Sequence, residues 1–310
     1  MTEMRVVALG VHVLDVLVRP VESIPEGQGG AIVEEIRMTA AGTAGGTAIT
    51  LAKLGAAVHS AGAIGTDPIG DVLLRLLTDF GIDTLHLVRR DGVQTSASVL
   101  PIRADGSRPA FHVIGANGTY TADDAPRDLI AGSTHLHLGG PEFMGGEDAA
   151  KLLAFARENG VVTSADVLAP GEQLADLVDW VAPIFPHLDV FLPNDEQVLG
   201  LTGAGSVDEG CRALVARGAG CVAATVGADG AVVATADGVE RVPAFTVDVV
   251  DTTGCGDAFS AGFLRGLSLG RSPRDAAVLG CAAAGLVAQG LGSDHGDFDL
   301  AAAEALVANS

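Results

Sequence analysis

Short apolar runs rich in valine, each closing on Gly, Asn or Asp, recur along this chain and alternate with stretches of helical periodicity. Runs of four to eight apolar residues ended by turn formers suit strands buried on both faces, and the intervening helices supply the crossovers that parallel strands require. The pattern predicts strands at 6–10, 58–64, 135–139, 161–166, 189–192 and 222–226. Helices are predicted at 47–54, 69–80, 147–159, 207–217, 257–269, 273–289 and 300–308. The fold class is therefore α/β with a mainly parallel sheet.

Two segments break the rhythm. Residues 11–39 contain Pro20, Pro25 and a glycine-rich turn at 27–30, and residues 94–114 contain a turn at Asp105-Gly106. Both read as β-hairpins. Inserted at about 11–40 and 92–116, they predict a small accessory sheet beside the carboxyl ends of the core strands, where ligands of such folds bind. A lid on a single domain spanning 1–310 is the expected organisation, since no repeat, low-complexity tract or linker interrupts the chain.

Composition narrows the reading. Hydrophobic residues make up 48% of the chain, enough for a large core, but aromatics are only 4% against 42 glycines. Packing must then rest on Ala, Val, Leu and close backbone approach. A formal charge of −21 argues against nucleic-acid and anionic-membrane partners. It still admits an anionic nucleotide if helix amino ends, backbone amides and Mg²⁺ supply local positive potential. Cys211, Cys221, Cys255 and Cys281 form no CxxC pair, and Thr2, Glu3 and Arg5 before a run broken by His12 and Asp15 lack the form of a signal peptide. A reduced, cytoplasmic location is expected. The apolar run 276–288 is too short to span a bilayer and predicts a buried helix.

The chemistry concentrates in Asp251-Thr-Thr-Gly-Cys-Gly-Asp257, a small-residue turn that leads into an apolar helix. Gly254, Cys255 and Gly256 allow a phosphate to approach the backbone, and amides at a helix start direct free N–H groups toward it. Asp257 then stands beside the phosphoryl group, placed to take a proton from an attacking alcohol. The plain alternative is that Asp257 only caps the helix. A Walker-type site is excluded, because the only lysines, Lys53 and Lys151, follow no glycine-rich loop. A Rossmann dehydrogenase is disfavoured by the absence of G-x-G-x-x-G after the first strand.

These residues resemble the ribokinase-like, or pfkB-type, carbohydrate and nucleoside kinases almost end to end. Besides the Asp251 segment, the resemblance rests on 10–15, on 42–55 through Leu-Ala-Lys-Leu-Gly, and on Gly62-Ala-Ile-Gly-Thr-Asp-Pro-Ile-Gly70. It continues through Pro193-Asn194, Leu201-Thr202-Gly203 and Thr225-Val-Gly227-Ala-Asp-Gly230. It implies a three-layer αβα fold with a β-sheet lid, and ATP-dependent phosphorylation of a hydroxymethyl group on a small sugar, with Asp257 as base. Gly254, Cys255 and Gly256 would form the anion hole. Asp15, Gly42 and Gly46 would meet the substrate, and Asn194, Thr225, Gly227, Gly230 and Cys281 would line the nucleotide. Mg²⁺ would be organised near Glu196 and Gln197, and a monovalent cation such as K⁺ near Asp251, Thr253 and Gly292. A homodimer joined through the lid sheets is the expected assembly.

The chain also departs from the family pattern. Relatives usually have two glycines where it has Ala41-Gly42, asparagine where it has Gly46, and glutamate where it has Gln197. Alanine and asparagine are usual in place of Cys255 and Cys281. A nucleoside kinase and a non-catalytic sugar- or nucleotide-binding regulator on the same scaffold therefore stay open beside the sugar kinase. Segment 164–171, Asn117 and Glu142 are further candidates for substrate contact.

Overall fold

The computed structural model describes residues 3–104 and 107–309; the turn expected at Asp105-Gly106 lies outside the described residues. In chain order the strands are β1 (Arg5–Gly10), β2 (Val13–Arg19), β3 (Glu35–Ala41), β4 (Ala57–Gly65), β5 (Asp83–Arg90), β6 (Ala97–Pro101) and β7 (Phe111–Val113). They continue as β8 (His135–Gly139), β9 (Val162–Asp166), β10 (Val190–Phe191), β11 (Cys221–Thr225), β12 (Ala231–Thr235) and β13 (Gly238–Val242). The helices are α1 (Thr43–Lys53), α2 (Pro68–Asp79), α3 (Arg127–Ala131), α4 (Gly146–Glu158) and α5 (Gly171–Val181). After these come α6 (Asp195–Thr202), α7 (Val207–Ala216), α8 (Cys255–Ser268), α9 (Pro273–Val287) and α10 (Leu300–Ala308).

Among the described residues the large sheet has nine strands in the order β13-β12-β11-β10-β9-β8-β1-β4-β5. Its neighbours pair in parallel except at β12, which runs against both β11 and β13. Side chains alternate across β1. Val7 and Leu9 join the core under α4 to α7, while Val6 and Ala8 join the core under α1, α2, α8 and α9. This makes the three layers. Beyond β1 the chain builds one way to β4 and β5 and later the other way through β8, so a crevice opens at the carboxyl ends of β1 and β8.

The α8–α9 seam shows how a chain poor in aromatics fills its interior. A Cβ added at Gly262 would stand 2.8 Å from Gly280 Cα and 2.8 Å from the Leu279 carbonyl oxygen. The two helices thus meet backbone to backbone. Among the described residues no helix is long and apolar enough to cross a membrane.

The expected lid is present as a second sheet in the order β3-β2-β6-β7. Each insertion forms an antiparallel pair, and parallel pairing of β2 with β6 joins them. Residues on a strand alternate between faces. The row Thr39, Asp15, Ser98 and His112 lies on one face, and the row Met38, Val16, Val99 and Phe111 on the other. Asp15, Thr39 and Ser98 are buried, whereas Met38, Val99 and Phe111 are exposed.

Candidate active site

Helix α8 begins at Cys255, two residues before the expected start, so Asp257 is its third residue rather than its first. Gly254 takes the left-handed N-cap conformation at φ 79°, and no side chain caps the helix, which disposes of a capping role for Asp257. The Cys255 amide donates to the Thr252 carbonyl at 3.2 Å. The amides of Gly256 and Asp257 lie where an α-helix offers no carbonyl partner. Nothing lies within 4 Å of the position a Cβ on Gly256 would take, so a phosphate has room to reach them. Gly254 is backed by a neighbouring loop: its Cβ would stand 2.2 Å from Ser293 Cβ.

A side chain at residue 46 has no room while Asp257 keeps this position, because a Cβ on Gly46 would stand 2.1 Å from Asp257 Oδ2. The glycine in place of the family's usual asparagine is thus matched to the carboxylate. Asp257 is partly exposed as a residue, yet burial of its carboxylate, followed by the charge of Asp15, pushes its pKa well above the ordinary range. Arg108, from the loop between β6 and β7, pulls it back. Asp15 is raised to about 6 by burial, against the Ser98 hydroxyl and Arg108, with Asp251 adding to the rise. Arg108 Nε also lies 3.8 Å from Asp251 Oδ1.

Two further acids stand on the same side. Asp166, at the end of β9, is pushed well up by burial, then by Asp257 and Glu142. Glu142 Oε1 accepts from the amides of Leu168 at 2.6 Å and Ala169 at 2.8 Å, while its buried Oε2 has no partner. Among the described residues no three His, Cys, Asp or Glu side chains form a direct metal cage. Mg²⁺ beside nucleotide phosphates needs only one or two carboxylates, with water completing its shell. Asp166 and Glu142, with its orphan oxygen, fit that requirement.

Asp251, Thr253 and Gly292 are brought together as the family pattern implies. Asp251 Oδ1 accepts from the Thr253 amide at 3.0 Å and hydroxyl at 2.8 Å, and Oδ2 accepts from the Gly292 amide at 2.9 Å. A carboxylate accepts about four such bonds, so Asp251 keeps capacity for one cation contact.

Of the residues that the resemblance assigns to the nucleotide, Asn194 bridges to Thr225 across parallel backbone. Asn194 caps α6 by accepting from the Gln197 amide, and Gln197 Oε1 accepts from the Asn194 amide, both at 2.8 Å. Gln197 Nε2 donates to the carbonyls of Val167 at 2.8 Å and Ala169 at 3.3 Å. Gln197 is therefore a clamp between α6 and the segment after β9, and Glu196 beside it is exposed. Gly227 is open to ligand, whereas a Cβ on Gly230 would strike the Val242 carbonyl, and one on Gly42 the Val11 carbonyl. Those last two glycines have a reason in the fold. Cys281 is buried, with its thiol pushed up to about 12. Burial likewise raises Cys255 to about 12, and its Sγ donates to the Ala284 carbonyl at 3.6 Å. Burial disfavours the thiolate form of both.

Asn117 does not face the crevice as a free amide. It accepts from the His12 amide at 3.3 Å and donates to the His12 carbonyl at 2.9 Å, tying the return from the lid to the segment after β1. Arg108 is the residue that sequence reasoning missed. One of two arginines in its insertion, it carries no local signal that it faces the acids.

A parallel sheet, a β lid and an acid at an open helix mouth together make the scaffold of a small-molecule kinase. The chain belongs to the pfkB family of carbohydrate kinases, whose profile matches residues 5–297. It is 31% identical over 267 residues to the ATP-dependent ribose-1-phosphate kinase of Halopiger xanaduensis, covering 84% of this chain and 83% of that protein. It is 27% identical over 252 residues to the ribokinase of Haemophilus influenzae, covering 77% and 78%. A putative ribokinase II from E. coli, solved with ATP and Mg²⁺, has the same fold, with a TM-score of 0.86 at 20% identity over 100% of both chains.

The raised pKa of Asp15 makes a stability prediction. The folded state holds this proton up to about pH 6 and the unfolded state loses it near the ordinary 3.8, so the group's contribution to stability falls as pH rises through that window. Asp15→Asn should stabilise the ligand-free protein at pH 7–8 by up to about 3 kcal/mol, and much less near pH 4. Urea unfolding at both pH values measures this; equal effects at the two would refute it.

Proposed function

We propose that the chain transfers the γ-phosphoryl group of ATP to a hydroxymethyl group of a small sugar or sugar derivative, with Asp257 as general base. The observation that carries this reading is the Asp257 carboxylate at the open, glycine-lined mouth of α8, opposite Asp15 on the buried face of the lid. The alcohol lies between lid and core, with Asp15 accepting from its hydroxyls. Asp257 takes the proton as the oxygen attacks phosphorus, and the amides of Gly256 and Asp257 hold the equatorial oxygens. Asn194, Thr225 and Gly227 line the nucleotide, with Cys281 behind the base. Asp166 and Glu142 would hold Mg²⁺, which would supply charge neutralisation for the phosphates. Asp251, with Thr253 and Gly292, would hold a monovalent cation. Arg108 above the acids favours including sugar phosphates, the substrate class named for the Halopiger relative, in any substrate panel.

The outer face of the lid supports a homodimer. Ile36 is 65% exposed and Phe111 59%, with Met38 and Val99 beside them, an apolar strip on a sheet that is otherwise thin.

Turnover of ATP across pentoses, hexoses, sugar acids, nucleosides and sugar phosphates tests the activity. Asp257→Asn should leave the melting temperature within a few degrees and lower kcat by about two to four orders of magnitude. Near-normal turnover would sink the assignment. For the native protein kcat/KM should fall by at least about tenfold per pH unit below roughly pH 6, because Asp15 must be ionised to bind the alcohol and Asp257 to take its proton.

In the same assay, chelation of divalent ions should abolish turnover and potassium should raise it over tetramethylammonium. Full activity in chelator contradicts the phosphate-neutralising role given to Mg²⁺. Sedimentation checks the assembly: Phe111→Glu should convert a dimer to a monomer, and an unchanged sedimentation coefficient places the interface elsewhere.

A further inference from the structure

Lys53, the last residue of α1, has a half-buried ammonium with every donor engaged. Nζ donates to the carbonyls of Asp294 at 2.7 Å, His295 at 2.8 Å and Gly296 at 2.7 Å. It also lies 4.6 Å from the ring centre of Phe298 and 5.4 Å from that of Phe80. Three carbonyl oxygens and two aromatic faces are the surroundings that a small monovalent cation selects, and an ammonium has three donors to match. Burial lowers its pKa to about 8, with Asp294 and Asp297 raising it and Arg37 lowering it, so at neutral pH it stays mostly charged.

The loop that Lys53 gathers leads straight to the site. The Gly292 amide donates to Asp251 Oδ2 at 2.9 Å, and Ser293 backs Gly254 at the mouth of α8. Ser293 Oγ donates to the Ala40 carbonyl at 3.0 Å, and Arg37 pairs with Asp294 at 3.0 Å, so the same loop meets the root of the lid. Without the ammonium, three inward carbonyls would face one another and the ring faces with no donor, and the loop would have to open.

We propose that Lys53 is a positioning residue for phosphoryl transfer: a tethered cation that fixes residues 294–296 and thereby seats Gly254 and Asp251 at the mouth of α8. This rests on the kinase reading above. A lysine that only stabilised the fold would change the melting temperature and leave the chemistry alone. Positioning instead affects the step in which the anion hole meets the phosphoryl group.

The test uses Lys53→Met, which keeps the stem and removes the donors, and Lys53→Ala, which leaves the carbonyl cup vacant. At fixed potassium and magnesium, Lys53→Met should lose about ten- to a hundredfold in kcat, with KM for both substrates within about threefold of the native protein. Added methylammonium should restore Lys53→Ala by about tenfold relative to tetramethylammonium and raise its melting temperature, with no effect on the native protein. A Lys53→Met kcat within about threefold of native overturns the proposal. So does a Lys53→Ala protein whose activity and melting temperature both ignore methylammonium. If a variant melts near the assay temperature, native and variant kcat are compared at a temperature where both are fully folded, and the same threefold limit on Lys53→Met decides. An inactive native protein tells against the kinase reading, and the melting response still decides whether the cup binds a cation.

Discussion

A helix that begins inside a protein leaves its first amides without carbonyl partners, and α8 begins in this way with no side chain to cap it. The rest of the site follows from that arrangement. Positive potential from the amides and the helix dipole makes it tolerable to gather Asp15, Asp166, Asp257 and Glu142 in one crevice. Burial raises the pKa of all four, and neighbouring carboxylates add to the rise at Asp15, Asp166 and Asp257. Arg108 answers part of it from the lid. On the function proposed above, a phosphate with its counter-cations would complete this charge arrangement.

Much of this was legible in the residues. The alternation of apolar runs and helical stripes located the core strands and most helices within one to three residues, and two interruptions located the lid. What escaped has identifiable causes. β5 is an edge strand that alternates polar and apolar residues between charged ends, so it lacks the continuous apolar run of a buried strand. β12 and β13 form a hairpin added antiparallel to the sheet, outside any βαβ unit. α1 starts at Thr43 rather than Thr47, because packing of Gly45 against His12 and Gly46 against Asp257 overrides the poor helix propensity of glycine. α5 does carry a readable stripe at Leu174, Leu177, Val178 and Val181, which its position after Pro170 obscured.

The site divides in the same manner. Asp257 and its glycines follow local sequence spacing and were readable there, whereas the grouping of Asp251 and Thr253 with Gly292, across the length of α8 and α9, was suggested only by the family resemblance. Asn194-x-x-Gln197 has the spacing of a capping box, so the clamp formed by Gln197 was also available, behind the metal role suggested by resemblance. Arg108 and the partnership of Lys53 with residues 294–296 depend on contacts across most of the chain. No local pattern encodes those.

The lid is made of two hairpins drawn from separate parts of the chain and joined along β2 and β6. A two-stranded hairpin alone is marginal in water, and pairing strands far apart in sequence carries a large closure entropy. β1, β4, α2 and β5 must be in place before β2 and β6 are held at pairing distance. That closure entropy favours late pairing of β2 with β6, and their amides are expected to exchange before those of the nine-stranded sheet. Assembly and opening would then pass through the same strand pair in opposite directions.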